Sequence, residues 1–483
     1  MNSLGKNAFY SILKSVTSIA FPLVTFSYAS RVLLPDGMGQ IEFSQSYVAY
    51  FTFLAMLGIV NYGTREGAKV RESRAELSRL ARELLAINLA AVLISCGILG
   101  ITVLCIPKLS DYTVLLLIYS LTVPLTAIGL EWLYNAVEDY RYIAVRTAAV
   151  QLVSLLLMVV LVKRREDLWK YAAIQVLATT GSNILNFFHA RKYVSLKPAG
   201  GIRRLSPQRH MKPVFLLFGM SVFIQVFTHM DSTMLGFMAG DKYVGLYAAS
   251  LKMTRAVSSL ITALSLVAMP RIAYYVEQKR VGEIRKLSVR MINLILMLGI
   301  PAMVGMIMLS GDLIRLFCGP GYMEADMAAK VMSLRVLLVP LNSFIVLHLF
   351  IPLGWEQHNM VSTGSAALLN LIVNAILIPQ FYHLGAGVAT VLAEGIELVV
   401  NLYFLAAFLN VRKVFALTWE YVAASVPIVF LCWMIGSAVP SAWLATTLSV
   451  AASVPAYFLV LLLLRNRFLV DGFNQLVTKR GKQ

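Results

Sequence analysis

The sequence predicts an all-α integral membrane protein with about fourteen transmembrane helices. Of its 483 residues, 59% are hydrophobic and only 14% are charged, and the mean hydropathy is +0.74. A soluble domain carries roughly 25% charged residues, because it must solvate its surface. The chain also contains many apolar runs of about 20 residues, the length at which a helix crosses the bilayer core. Helices are expected throughout, since lipid offers no partner to unpaired backbone groups.

The apolar runs recur along the whole chain and are joined by short connections. No connection is long enough to form a soluble catalytic domain, so we predict that the protein is not an enzyme. The predicted spans, numbered 1 to 14 in chain order, lie near residues 8–30, 41–60, 83–105, 112–136, 144–162, 169–189, 213–238, 244–268, 291–310, 331–352, 360–379, 384–409, 419–438 and 442–464.

The basic excess of the chain is explained by membrane topology. A net charge of +18 would suggest a nucleic-acid partner for a soluble protein. If the N-terminus is cytoplasmic, most Lys and Arg residues fall in inner loops, as membrane insertion favours. We therefore expect both termini in the cytoplasm and no nucleic-acid partner. The most basic inner loops are residues 65–82, 191–212 and 271–290, and the outer cluster 163–165 runs against the rule.

Cysteine and histidine patterns predict neither a disulfide framework nor a metal site. The four cysteines lie within or at the ends of apolar spans, without a Cys-x-x-Cys pair. The six histidines show no His-Glu-x-x-His pattern. We expect free thiols packed among helices, no metal and no bound cofactor.

Two stretches of the chain form a weak internal repeat. Residues 35–44 enter span 2 and residues 240–250 enter span 8, each through a short turn that contains Gly and Asp. Both follow the first span of a six-span block, which predicts two related halves around a central cavity, a common transporter design. Such a turn is also ordinary between helices. The predicted organisation is a bundle at 1–190, a basic linker at 191–212, a second bundle at 213–410, and two further helices with a basic tail at 411–483.

Charged residues inside the spans point to a functional site. Each central charge costs about 2.5–3.5 kcal/mol on insertion scales. These side chains should therefore face a polar lumen or each other, although Arg335 lies near a span end, where its long side chain could reach the interface. They are Lys14, Glu131, Asp231, Lys252, Arg255, Arg335, Glu394 and Glu397.

Three of these cations are predicted to form a cationic cavity at mid-membrane. Lys252 and Arg255 are three residues apart and therefore share one face of span 8. Lys14 would come from span 1, in the other half. Lys and Arg are well matched to a diphosphate, so the predicted ligand of this cavity is an anion.

Polar and acidic residues complete the predicted site. The residues expected to line the cavity are Gln225, Thr228 and Asn374. The candidates for ion coupling are Asp231, Glu394, Glu397 and Glu131. The structural alternative, in which these groups form salt bridges and hydrogen bonds between helices, stays open at this point, and it is favoured for Asn370 and Asn374.

An ordered set of loose motifs covers nearly the whole chain. The motifs are Ser30-Arg31-Val32-Leu33-Leu34-Pro35-Asp36-Gly37-Met38-Gly39, Gly63-Thr64-Arg65-Glu66, Glu131-Trp132-Leu133-Tyr134, Asp231 with Met234-Leu235-Gly236, Gly245-Leu246-Tyr247 with Lys252, Pro352-Leu353-Gly354, Asn370, Asn374, Ile378-Pro379, and Gly385-Ala386-Gly387 with Ala389-Thr390 and Glu394. In this order they resemble the Wzx-type polysaccharide flippases of the multidrug/oligosaccharidyl-lipid/polysaccharide exporter superfamily.

The resemblance implies a fold, a substrate and a location. It implies two pseudo-symmetric six-helix bundles around a central cavity, plus two C-terminal helices. It also implies transport of an undecaprenyl-diphosphate-linked oligosaccharide from the inner to the outer leaflet of a bacterial cytoplasmic membrane, by alternating access, for surface polysaccharide biosynthesis. Candidate partners are a polysaccharide polymerase and a chain-length regulator. Candidate driving forces are a gradient of H+ or Na+ and the membrane potential.

Three other functions remain open from the sequence alone. A multidrug exporter or a lipid II flippase of the same superfamily would share the fold. A membrane-bound polysaccharide polymerase or ligase is disfavoured, because the chain has no large outer loop.

Overall fold

The computed structural model describes residues 4–196, 206–265 and 268–470, with the backbone alone for residues 4–20, 216, 220 and 221. Within these residues all regular secondary structure is helical, which confirms the predicted all-α fold. Eight described helices are long and apolar enough to cross a membrane, and up to eleven if each of three bent pairs is one span. The protein is a multi-pass membrane protein, and the figure of fourteen spans stays a prediction.

The predicted spans fall mainly on these helices. The first ten are α1 (Leu4–Met56), α2 (Ile59–Val70), α3 (Arg74–Cys105), α4 (Thr113–Ser120), α5 (Thr122–Ile128), α6 (Glu131–Ala136), α7 (Tyr140–Leu161), α8 (Leu168–Val176), α9 (Ser182–His189) and α10 (Gln208–Met238). The others are α11 (Asp241–Ser265), α12 (Met269–Glu277), α13 (Val281–Phe317), α14 (Asp326–Met332), α15 (Arg335–Phe344), α16 (Glu356–Leu405), α17 (Val411–Val414), α18 (Thr418–Ala438) and α19 (Ala442–Leu463).

Two long helices each contain a sharp break. The backbone of α1 leaves helical geometry at Leu34 (φ 58°, ψ 176°), directly before Pro35. The backbone of α16 does so at Tyr382 (φ 51°, ψ −126°). Predicted spans 1 and 2 therefore lie on the two parts of α1, and spans 11 and 12 lie on the two parts of α16.

The chain divides into two compact units, Met1–Gly245 and Leu246–Gln483. The division lies near the start of α11. The four-part organisation with boundaries at 190, 212 and 410 stays a prediction, and residues 197–205 of the predicted linker and 471–483 of the predicted tail lie outside the described residues.

In the first unit, α3 has its apolar and polar faces reversed relative to a helix of a soluble protein. The large side chains of Leu93 and Leu104 are 75% and 87% exposed, whereas Asn88 and Ser95 are buried. A helix in water would bury the leucines and solvate the amide and hydroxyl. The reversed arrangement is the one that hydrocarbon favours.

In the second unit, small residues bring α18 and α19 together. Ala445, Ser449, Ser453 and Tyr457 recur every fourth position along α19 and are all buried. Small side chains allow close approach of helix backbones in a membrane. The hydroxyl of Tyr457 then donates a 2.7 Å hydrogen bond to the carbonyl of Met297 in α13.

The two turns of the internal repeat pack against each other, and both belong to the first unit. A Cβ atom built on Gly39 would overlap the carbonyl oxygen of Asp241, and one built on Gly245 would overlap the carbonyl oxygen of Pro35. Pro35 and Asp241 occupy equivalent places in the repeat, as do Gly39 and Gly245, so the two contacts are reciprocal. Only glycine allows this approach of the two backbones.

The same equivalence extends to backbone conformation. Leu34, which precedes Pro35, has φ 58°, and Gly240, which precedes Asp241, has φ 101°. A positive φ is rare for leucine and strains the backbone. Both turns therefore reverse the chain at the same place in the repeat, once with glycine and once with a strained leucine.

A buried carboxylate fixes the start of α10 to α3. Glu83 is completely buried in the first unit. Four groups lie within hydrogen-bonding distance of its two oxygens: Arg79 Nε (3.1 Å), Arg209 Nη2 (2.6 Å), His210 Nε2 (2.9 Å) and the backbone N–H of Ser206 (2.9 Å). His210 Nδ1 also lies 2.7 Å from the hydroxyl of Tyr62 in α2. This network joins α2, α3 and α10 on either side of residues 197–205.

We predict that Gly39→Ala destabilises the protein by about 1–3 kcal/mol, because its methyl group would overlap the main chain of Asp241. The matched control is Gly97→Ala in α3, where a Cβ meets nothing within 4 Å. That control should be neutral or stabilising, since alanine has the higher helix propensity. The measurement is thermal unfolding of the purified protein in detergent. Equal unfolding temperatures for the two variants would contradict the close contact.

We predict that Glu83→Ala lowers the free energy of unfolding by about 2–3 kcal/mol, because it leaves buried donors without their shared acceptor. The loss is limited because the side chain of Arg209 stays 49% exposed. Glu72→Ala is the control, since Glu72 is exposed, and surface changes usually alter stability by less than about 0.5 kcal/mol. If both variants melt together in the same thermal assay, the Glu83 network does not stabilise the start of α10.

Candidate functional site

The two cations predicted on span 8 lie on α11, in the second unit. Lys252 is half-buried and Arg255 is exposed. The buried face of α11 is elsewhere, along Ser250, Thr254 and Ser258. Ser258 donates hydrogen bonds to the carbonyl of Thr254 at 2.8 Å and of Arg335 at 3.3 Å. The hydroxyl face thus packs α11 against its neighbours, and Lys252 and Arg255 are presented on another side of the helix.

The third predicted cation, Lys14, lies on the helical backbone of α1. Its side chain lies outside the described residues. Its part in a common cationic cavity therefore stays a prediction.

The predicted polar lining residues differ in exposure. On α10, Gln225 is half-buried and Thr228 is exposed, with the Thr228 hydroxyl donating a 2.7 Å hydrogen bond to the carbonyl of Ile224. On α16, Asn374 is completely buried, and its amide donates a 3.1 Å hydrogen bond to Asn370 Oδ1. Asn374 therefore bonds to a residue of its own helix in this conformation, whereas Gln225 and Thr228 have surface that a ligand could reach.

Glu394 forms a buried ion pair with Arg335 of α15. Arg335 Nε and Nη2 lie 2.8 Å and 2.7 Å from Glu394 Oε1, and the two side chains are 13% and 5% exposed. The amide of Asn342 donates a 3.0 Å hydrogen bond to the backbone carbonyl of Glu394. Asn401 donates in turn to Asn342 Oδ1 at 3.1 Å. The carboxylate of Glu394 therefore has a guanidinium counter-ion, and the side chain of Arg335 is not extended into solvent.

Glu397, one turn further along α16, has a different environment. It is half-buried, and its Oε1 lies 3.3 Å from the hydroxyl of Thr363 in the first part of α16. The same hydroxyl lies 3.3 Å from Asn359 Oδ1. The break at Tyr382 makes these contacts possible, because it folds the two parts of α16 against each other.

The two remaining acidic candidates lie in the first unit. Asp231 is only 4% exposed, on α10. Glu131 is exposed at the first position of α6, directly after Leu130, which has φ 47°. The next residue, Trp132, packs on Gly63 and Gly67 of α2, where a Cβ atom would overlap its ring. Two of the resembling motifs, around Gly63 and Glu131, therefore meet in one packing contact.

Sequence reasoning passed over a buried arginine. Arg146 lies in predicted span 5 and is only 8% exposed. Its guanidinium carbon is 5.6 Å from the centroid of the Tyr142 ring, within cation–π range. Tyr142 in turn stacks on His189 at 3.8 Å between centroids. The signal that could have identified Arg146 is the one used for the other charges, a cation inside an apolar span.

An apolar cavity opens in the second unit. Its volume is about 460 Å³. It lies between α13, α18 and α19, and its wall includes Pro301, Met306, Ile428, Val454 and Tyr457. Such a lining suits a hydrocarbon chain rather than a sugar or a phosphate.

Comparison with known proteins gives relatives that are named as transporters and flippases. The chain is 21% identical over 397 residues to the "Putative O-antigen transporter" of Escherichia coli (strain K12), covering 81% of this chain and 94% of the relative. It is 26% identical over 245 residues to the "Probable flippase AglR" of Haloferax volcanii, about half of each chain. These names agree with the prediction that the chain is a transporter and not an enzyme.

The fold also matches a solved structure. The chain superposes on the lipid II flippase MurJ in its inward closed conformation with a TM-score of 0.78, covering 95% of this chain and 99% of that one, at 14% sequence identity. At this identity the match shows the fold alone. It confirms the predicted class of transporter fold.

The family assignment rests on the N-terminal and central helices. The family model described as polysaccharide biosynthesis protein matches residues 4–276, which is more than half of the chain. This match agrees with the motif resemblance found in the sequence. The chain belongs to this polysaccharide biosynthesis protein family.

Proposed function

We propose that this protein is a flippase that moves an undecaprenyl-diphosphate-linked oligosaccharide from the inner to the outer leaflet of a bacterial cytoplasmic membrane. The relatives named as an O-antigen transporter and a flippase, together with the fold, fit this activity. The single observation that carries the proposal is the pair of cations on α11. Lys252 and Arg255 share one side of a membrane helix whose other side is packed through hydroxyls.

The substrate has three chemically distinct parts, and each needs a different environment. The diphosphate cannot enter hydrocarbon unless its charge is compensated. Lys252 and Arg255, with Lys14, would supply that compensation through charge-assisted hydrogen bonds. Gln225 and Thr228 would receive sugar hydroxyls. The prenyl tail would stay in an apolar environment, for which the cavity between α13, α18 and α19 is suited.

The membrane potential favours outward movement of this anion. With the cytoplasm negative, each negative charge moved outward gains about 2.3 kcal/mol per 100 mV. Return of the empty, positively charged site would then be coupled to a cation. Asp231, Glu397 and Glu131 are candidates for that coupling, through H+ or Na+. Glu394 is a weaker candidate, because Arg335 already neutralises it.

Orientation and assembly follow from the same proposal. Both termini would lie in the cytoplasm, where the basic loops are favoured. The flipped product would be used at the outer face by a polysaccharide polymerase and a chain-length regulator, which are the proposed partners. The protein would work by alternating access, as expected for transporters with repeated halves.

We predict that Lys252→Ala and Arg255→Ala each slow flipping by about tenfold, because each removes a charge-assisted contact of about 1.5 kcal/mol. The measurement is the transfer of a fluorescent undecaprenyl-diphosphate-linked sugar across liposomes that contain the purified protein.

Lys286→Ala is the matched control, since the Lys286 side chain is 76% exposed and paired with Glu283 near the start of α13. It should flip at the wild-type rate. Wild-type rates for both α11 variants, in protein that is equally stable in detergent, would remove the cationic site from the proposal.

A further inference from the structure

Two glutamates on the second part of α16 differ in how their charge is compensated. Glu394 and Glu397 are three residues apart and lie on the same side of the helix. Glu394 is held by the guanidinium of Arg335. Among the residues that the structure describes, no cation lies within ion-pair distance of Glu397, and its hydrogen bond is with the hydroxyl of Thr363.

The hydrogen atoms around Thr363 can be counted. Thr363 Oγ1 lies 3.3 Å from Glu397 Oε1 and 3.3 Å from Asn359 Oδ1. A threonine hydroxyl has one proton to donate, and an ionised carboxylate and an amide oxygen are both acceptors. With Glu397 ionised, the single Thr363 proton would have to be shared between the two acceptor oxygens. With Glu397 protonated, its carboxyl donates to Thr363, and Thr363 donates to Asn359.

The neighbouring carboxylate of Glu394, whose own charge is already paired with Arg335, favours the protonated form of Glu397. Glu394 lies on the same part of α16, and Arg335 of α15 faces Glu394. The first part of α16 contributes the neutral Thr363 and Asn359 at this point. The other Asp, Glu, Lys and Arg residues of the helices that meet here are Glu356 at the start of α16 and, on α11, Asp241, Lys242, Lys252 and Arg255. Ser258 of α11 bonds the Arg335 carbonyl. An ionised Glu397 would add a negative charge beside the neutralised Glu394–Arg335 pair, without a cation at ion-pair distance among the described residues.

A proton fits this site better than a metal cation. Na+ and similar ions need several oxygen ligands directed at one point, whereas Thr363 Oγ1 is the single oxygen within hydrogen-bonding distance of the carboxylate in the described part of the chain. A proton needs only one acceptor, and Thr363 provides it. Ionisable residues inside the membrane commonly form proton relays.

We propose that Glu397 is the proton-binding site that couples flipping to the proton gradient. This inference rests on the proposed flippase function and names its coupling group. In the conformation described here the Glu397 carboxyl holds a proton and donates it to Thr363. In the conformation open to the cytoplasm the O–H bond breaks and the proton passes to water on that side, and in the conformation open outward the Glu397 carboxylate takes up the next proton from outer water. One proton then crosses in each cycle, opposite to the substrate.

Proton binding can be tested without transport. Infrared difference spectroscopy of the purified protein between neutral and alkaline pH should show the carbonyl stretch of a protonated carboxyl group at neutral pH. That band should be lost in Glu397→Gln. It should remain in Glu356→Gln, the matched control, because Glu356 lies on the same helix and is exposed. An unchanged band in Glu397→Gln would overturn the proposal.

Thr363→Val tests the hydrogen bond and does not depend on the stability of Glu397→Gln. It keeps the shape of the side chain but removes the acceptor. The carboxyl band should shift to higher frequency in this variant, because the carboxyl loses its hydrogen bond. An unshifted band would show that the protonated carboxyl group belongs to another residue.

Coupling is tested by measuring flipping in liposomes with and without a pH gradient. A gradient of about one unit is about a tenfold difference in proton concentration. The wild type and Glu356→Gln should flip the labelled lipid faster when the proton gradient is directed towards the cytoplasmic side of the protein. Glu397→Gln should flip at one rate in both conditions. A gradient response retained by Glu397→Gln would contradict the proposal.

Different results would contradict the flippase function and the proton-coupling role of Glu397. If the wild type flips the labelled lipid but ignores the gradient, the flippase function stands and the proton-coupling role of Glu397 falls. If the wild type flips nothing in either condition, the flippase function falls, and with it the coupling role, while the infrared band still decides whether Glu397 binds a proton.

Discussion

The physical constraint on which this structure depends is that hydrocarbon offers no hydrogen bonds. Every buried polar group must therefore find its partner within the protein. This explains why α3 turns Leu93 outward and buries Asn88, and why Arg335 and Glu394 occur as a pair. A polar group inside a membrane span costs free energy on insertion. A polar group that is not needed for packing therefore indicates a functional role.

Close contacts between backbones are the second feature that holds the fold together. Helices in a membrane gain little from apolar burial alone, so contact depends on small residues and shape. Gly39 and Gly245 allow the two repeat turns to meet main chain against main chain. The breaks at Leu34 and Tyr382 fold single long helices into hairpins. The break in α16 is what brings Thr363 to Glu397.

The sequence predicts the helices and the shared face of Lys252 and Arg255, because both depend on local periodicity. It cannot predict the partner of Glu394, because Arg335 lies on another helix and the contact depends on tertiary packing. The burial of Asn374 and the network at Glu83 are hidden for the same reason. If the membrane-insertion cost had been considered for every charged residue in every predicted span, Arg146 would have been added to the candidate site residues. The side chain of Lys14 lies outside the described residues, so its place beside the α11 cations is still a prediction from sequence.

The central claim is that the α11 cations face water and receive the diphosphate. It is tested most directly by cysteine accessibility, in a variant whose four native cysteines are replaced. Lys252→Cys should react with a water-soluble, membrane-impermeant thiol reagent and be protected by the undecaprenyl-diphosphate-linked sugar. Leu93→Cys, on the lipid-facing side of α3, should not react. An unreactive Lys252→Cys would contradict the account.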